Sequence, residues 1–122
     1  MTAPASAWNK GDVVRDPIAT AEALASDFAA TAVQRDRAGG TPKHERDLLR
    51  ASGLLTLIIP AELGGGGASW ATALRTVRAI ARADGSLAHV FGFQHLLLAT
   101  VRLFGTGAQF ESLARATVEG RW

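Results

Sequence analysis

The sequence predicts an all-α domain of about five helices with one short extended segment. Three observations carry that expectation. Apolar residues recur at helical spacing in successive stretches, helix-start residues precede most of them, and the 122 residues suit one domain with its own core. Residues 1–15 are small, polar and aperiodic and read as a loose arm, which leaves 16–122 as the folded unit.

The first helix opens at Asp16-Pro17, an N-cap acid followed by proline at the first helical position. Ile18, Ala21, Ala25, Phe28, Ala32 and Val33 mark its inward face, and Gly39-Gly40 ends it. Thr41-Pro42 repeats the start signal for a short second helix over Lys43–Ala51, closing at Gly53. Leu54–Ile59 is a continuous apolar run stopped by Pro60. A run so short has no diagnostic period, and its proline- and glycine-rich exit favours an extended buried segment. Gly64–Gly67 is a four-glycine loop.

Ser69 caps the third helix, with Trp70, Ala73, Leu74, Val77, Ile80 and Ala81 on one face and Arg75, Arg78 and Arg82 off it. Asp84-Gly85-Ser86 interrupts, with Asp84 as cap, and a fourth helix follows over Leu87–Phe104. It is apolar nearly all round, which predicts the central, most buried element. Thr106 caps the last helix, with Phe110, Leu113, Ala114 and Val118 inward and an end near Gly120. The closing Arg121-Trp122 is abrupt for a domain end and suggests a chain cut before its next element.

Composition narrows the function classes. Hydrophobic residues make up 48% and charged residues 20%, as in soluble globular domains. With no cysteine, disulfide scaffolds, thiolate metal sites and cysteine nucleophiles are excluded, and a reducing, cytoplasmic setting is compatible. The net charge of +2 comes from 13 basic and 11 acidic residues without a basic stripe, which argues against nucleic acid. His89, Gln94, His95 and Arg102 interrupt the apolar fourth helix, so it is expected to be buried in protein and not in a membrane.

The Gly64–Gly67 loop lacks the lysine of a phosphate-binding loop and the strand context of a dinucleotide fold, so it reads as a structural turn. His44 lies in a solvated charged run. His89 and His95, both within the apolar helix, are six residues apart, a net rotation of about 120°. They share no face, so no two-histidine metal site is expected. Each then reads either as a core histidine bonded to backbone or as an imidazole aimed into a pocket, tuned for proton transfer. Phe93 and Gln94 are placed to line the same cavity. Gly92 costs the helix about 1 kcal/mol relative to alanine, which implies a close helix crossing or a ligand surface.

Two stretches point to a family. Glu45–Leu55 followed by Ile59-Pro60-Ala61-Glu62-Leu63-Gly64-Gly65 resembles the N-terminal helical domain of the acyl-CoA dehydrogenase superfamily. Ile80–Phe93, with Ala30–Gly40, resembles the flavin-dependent monooxygenase branch of the dibenzothiophene monooxygenase type. The resemblance covers roughly residues 17–122. It implies an enzyme with a β-sheet domain and a C-terminal helical bundle beyond this domain, a homotetramer that binds FAD or FMN mainly between those later parts. It also implies O2 and a small sulfur-containing molecule as substrates, and a separate flavin reductase as partner. By the same resemblance His89 is the catalytic residue, bonding or passing a proton to a flavin peroxide. Phe93 stands where relatives carry tyrosine, and Gln94 where they carry histidine; with Gly92 they form the substrate wall. No flavin-holding residue is assigned in this chain, which is expected to be inactive alone. Two alternatives stand beside this reading: an acyl-CoA dehydrogenase, and a free-standing helical interaction module.

Overall fold

The computed structural model describes residues 14–120. The expected arm therefore lies outside them but for residues 14 and 15, as does the terminal Arg121-Trp122. The described residues form five α-helices and no strand: α1 (Pro17–Ala38), α2 (Lys43–Ala51), α3 (Trp70–Ala81), α4 (Gly85–Phe104) and α5 (Gly107–Gly120). Two single 3-10 turns, Leu54–Thr56 and Ala61–Leu63, lie between α2 and α3.

Local chemistry sets the helix ends. Asp16 accepts from the Ala19 amide, Ser69 from Thr72 and Asp84 from Leu87, so three helices begin on a side-chain oxygen. At α5 the Thr106 hydroxyl accepts from the Gln109 amide while Gln109 accepts from the Thr106 amide, a reciprocal capping box. The second helix departs from expectation. Its cap position is Pro42 with no side-chain bond, so Thr41 caps nothing.

α3 lies between α1 and α4, and α5 packs on α4 and on the 3-10 turns. Ala21, Leu24 and Phe28 of α1, Leu49 of α2, Ala73 and Ile80 of α3, Leu87, Phe91 and Leu98 of α4 and Ala114 of α5 close one core around Leu54, Leu57 and Ile59. Because α3 is flanked on two sides, its buried face is rotated from the expected one. Thr76 and Ala79 point inward, whereas Trp70, Leu74 and Ala81 are exposed. On α1, Val33 is exposed and Leu24 takes the place in the core.

The Leu54–Ile59 run is coiled, not extended. Its bonds are local, Leu57 amide to Leu54 carbonyl and Ile59 amide to Thr56 carbonyl, and the glycine loop folds back over it. The amides of Gly66, Ala68 and Gly67 donate to the carbonyls of Thr56, Leu57 and Ile59 at 3.0, 2.9 and 2.8 Å. That return requires glycine. A Cβ at Gly65 would overlap the Ile59 carbonyl, and one at Gly66 would sit 2.9 Å from the Leu57 carbonyl oxygen. The loop is a structural clasp whose amides leave nothing for a phosphate.

The fourth helix is not the most buried element. Leu87, Ala88, Phe91, His95 and Leu98 form a single buried stripe, because α4 meets α3 and α5 on one side only. On the other side Val90, Phe93, Leu96, Leu97, Leu103 and Phe104 are exposed, the last two at 75% and 85%. α4 is long and apolar enough to cross a membrane by length and composition alone, but here it packs its stripe into the core.

Candidate functional site

The two histidines of α4 face different surroundings. His89 falls outside the buried stripe and is exposed, so the expectation that it lies in a pocket of this chain is not met. Its ring stacks on Phe93 one turn further along, with centroids 4.7 Å apart and planes 28° from parallel. Phe93, half-exposed at 46%, thus places an aromatic face and an imidazole side by side at the edge of the apolar stripe. Gln94 is half-buried beside them. Gly92 turns toward α3, where a Cβ would meet Val77 at 3.6 Å, an ordinary contact, so the helix crossing does not require glycine there.

His95 is the buried histidine, at 1% exposure, but its expected backbone bond is absent. Neither ring nitrogen has a hydrogen-bond partner, and the ring packs edge-on against Phe91, centroids 4.7 Å apart. Burial pushes its pKa down to about 4, because an imidazolium would be stranded in an apolar core. The ring is a neutral core element.

A feature that lay unread in the sequence stands at the root of α4. Asp84 was expected only as a cap, yet its second carboxylate oxygen receives Nη1 of Arg35 at 2.7 Å. Burial would raise the Asp84 pKa, but the Leu87 amide, the Arg35 guanidinium and the Ser86 amide outweigh it and hold the carboxyl below its usual value. The sequence separation of 49 residues left no local signal for this pairing.

What this arrangement can do chemically is limited but specific. An imidazole can donate from one ring nitrogen and accept at the other. Here it sits next to a ring face and a run of exposed aliphatic side chains on the surface of the domain.

Comparison with known proteins agrees with the architecture. The profile for "Acyl-CoA dehydrogenase, N-terminal domain" matches residues 16–121. The chain is 55% identical over 108 residues to the Pseudomonas putida protein named probable FMNH2-dependent monooxygenase SfnC, covering 88% of this chain and 27% of that protein. It is 50% identical over 107 residues to a dibenzothiophene monooxygenase of Rhodococcus erythropolis, covering 88% and 26%. Among solved structures, methanesulfinate monooxygenase MsuC from Pseudomonas fluorescens superposes with a TM-score of 0.84 at 55% identity, over 87% of this chain and 27% of that one. Dibenzothiophene monooxygenase TdsC from Paenibacillus sp. A11-2, solved with FMN and indole, superposes at 0.83 with 45% identity, over 87% and 27%. The chain thus spans about a quarter of the length of these relatives. With a profile covering nearly all its described residues and this helical arrangement behind it, the chain belongs to the acyl-CoA dehydrogenase family through that family's N-terminal domain.

Proposed function

We propose that this domain is the substrate-side wall of an FMN-dependent monooxygenase that oxygenates a small sulfur-containing compound. The observation that carries it is the His89–Phe93 stack on an uncovered apolar face, in a domain half identical to monooxygenases named for dibenzothiophene and methanesulfinate. The residues present fit the flavin as a wall, not as a cradle. The loop amides of Gly65, Gly66 and Gly67 are consumed by Pro60, Thr56 and Ile59, so this loop offers the phosphate no donors. His89 and Phe93 are the residues here that would face the ring system. Reduced FMN supplies the two electrons with which O2 gives one atom to the substrate and the other to water. His89 holds or passes a proton at a ring nitrogen, Phe93 fixes the plane of that imidazole, and Leu96 and Leu97 keep water off the face. Gln94 borders the same wall, whereas Gly92 faces α3. A separate reductase supplying FMNH2, a homotetrameric assembly and a cytoplasmic setting belong to the same proposal. FMN is favoured over FAD because the named relatives use it.

The test uses the full-length protein with FMNH2, 18O2 and either dibenzothiophene or methanesulfinate. One 18O atom in the product supports the reading. Failure with both, together with reduction of an acceptor dye by a saturated acyl-CoA, would move the protein to the dehydrogenase alternative.

A further inference from the structure

Three segments distant in sequence meet on one guanidinium. Arg35, in the last turn of α1, donates from Nη1 to Asp84 Oδ2 at 2.7 Å and from Nη2 to the Phe28 carbonyl at 2.9 Å. Its Nε lies 3.0 Å from Thr31 Oγ1 and 3.2 Å from Glu45 Oε1 of α2. The carboxylate-bearing side chains are nearly enclosed, Glu45 at 10% and Asp84 at 9% exposure. Arg35 is the cation in ion-pair range of each among the described residues. Exposed ion pairs are worth little. This one is shielded, and the guanidinium donates to three acceptors in a fixed fork and pairs with Glu45 beside it, which an ammonium cannot copy.

Asp84 divides its two oxygens between two tasks. Oδ1 accepts the Leu87 amide and closes the first turn of α4, while Oδ2 accepts Arg35. Leu87 and Ala88 press the inner side of that turn into the core, but the two residues just after the cap hold nothing. Gly85 has open space around it and Ser86 is exposed. His89 follows Asp84 by five residues, about 7.5 Å along the helix axis. A tilt or slip at the Asp84 cap is therefore passed along little more than one helical turn to the His89–Phe93 stack.

We infer that Arg35 is a positioning residue. Through Asp84 it ties the start of α4 to α1 and α2, and so sets where the His89 imidazole stands against the reacting centre. The inference rests on the proposed role of His89. Misplacing a catalytic group by about 1 Å is enough to cost of order a hundredfold in rate, so a looser anchor shows in turnover before it shows in folding.

The experiment compares Arg35→Lys, which keeps the charge but loses the fork, with Asp84→Asn, which keeps an oxygen for the Leu87 amide but loses the anion. Each is made in the full-length protein, alone and combined with His89→Ala. Hydrogen–deuterium exchange is read on peptides spanning 85–93 and 107–120, and kcat is read with FMNH2, O2 and dibenzothiophene or methanesulfinate. Both single variants are expected to speed exchange in 85–93 by about tenfold and leave 107–120 unchanged. They lower kcat about tenfold, and that loss shrinks to under about twofold once His89 is alanine. Exchange at the wild-type rate in 85–93, or a kcat loss that persists in the His89→Ala background, overturns the inference while leaving the role of His89 intact. A His89→Ala protein with wild-type kcat overturns the role of His89 and the inference with it, even if exchange shows the clamp. Should Arg35→Lys fail to fold, Asp84→Asn decides on the same readings.

Discussion

His89 and Phe93 stand one turn apart on α4 with their rings stacked at 4.7 Å, and the helix face they share is one this domain leaves bare. The stack restricts the imidazole to a single plane without burying it. A residue whose work is orientation contributes little to folding.

Phe93→Ala is accordingly expected to cost about 1 kcal/mol of stability or less, since the ring is half-exposed. In the full-length protein the same change should lower turnover about tenfold by freeing the His89 ring. Thermal melting beside steady-state kinetics checks both halves. A large melting shift with unchanged kcat would show a packing role instead.

His95 predicts an acid limb of stability. Its folded pKa of about 4 lies below the 6.5 of a free imidazole, so the unfolded chain binds the proton more readily. Stability from this group is fully present above pH 6.5 and falls as pH drops toward 4, by about 3 kcal/mol at about 1.4 kcal/mol per pH unit. Urea unfolding at pH 7.5 and 4.5 should show that loss in the wild type and a smaller one in His95→Leu. At pH 7.5 the leucine variant should equal or exceed the wild type, since it removes two buried nitrogens that bond to nothing.

The glycines divide into those that must stay and one that need not. Gly65→Ala drives a methyl group into the Ile59 carbonyl and is expected to cost about 3 kcal/mol or to prevent folding. Gly92→Ala meets Val77 at ordinary contact distance and gains helix propensity, so it should stabilise by roughly 0.5–1 kcal/mol. Denaturant midpoints of the two variants should move in opposite directions.

The 122-residue chain produced alone should self-associate and carry no stoichiometric flavin. Leu97, Leu103 and Phe104 lie along one exposed apolar strip, and such strips seek cover. Size-exclusion chromatography with light scattering should report species above 12.8 kDa, reduced by Leu97→Lys with Leu103→Glu. A yellow monomer would contradict both statements.

Helix ends were legible in the sequence because their causes are local. Asp16, Ser69, Asp84 and Thr106 each bond to an amide three residues away, and a reader of spacing sees that. Helix faces were less legible, because neighbours decide them. Trp70 and Leu74 keep the expected period, yet they look outward because α3 is held between α1 and α4. Leu54–Ile59 was mistaken for extended chain because its partner is the glycine loop beyond it, and that return fold leaves no mark in hydrophobicity. Of the candidate site, the His89–Phe93 pairing follows from i, i+4 spacing. Arg35 was unreadable as an anchor, since Glu45 and Asp84 reach it only after three helices have assembled.

The bare side of α4 also bears on how such a protein is born. In a polypeptide of the relatives' size, with this domain at its head, the ribosome still has about three-quarters of the chain to make. At about 5–20 residues per second, that strip stays bare for tens of seconds before the rest of such a chain exists. Yield in living cells should therefore track translation speed and holdase supply more closely than it tracks the equilibrium stability of the finished enzyme.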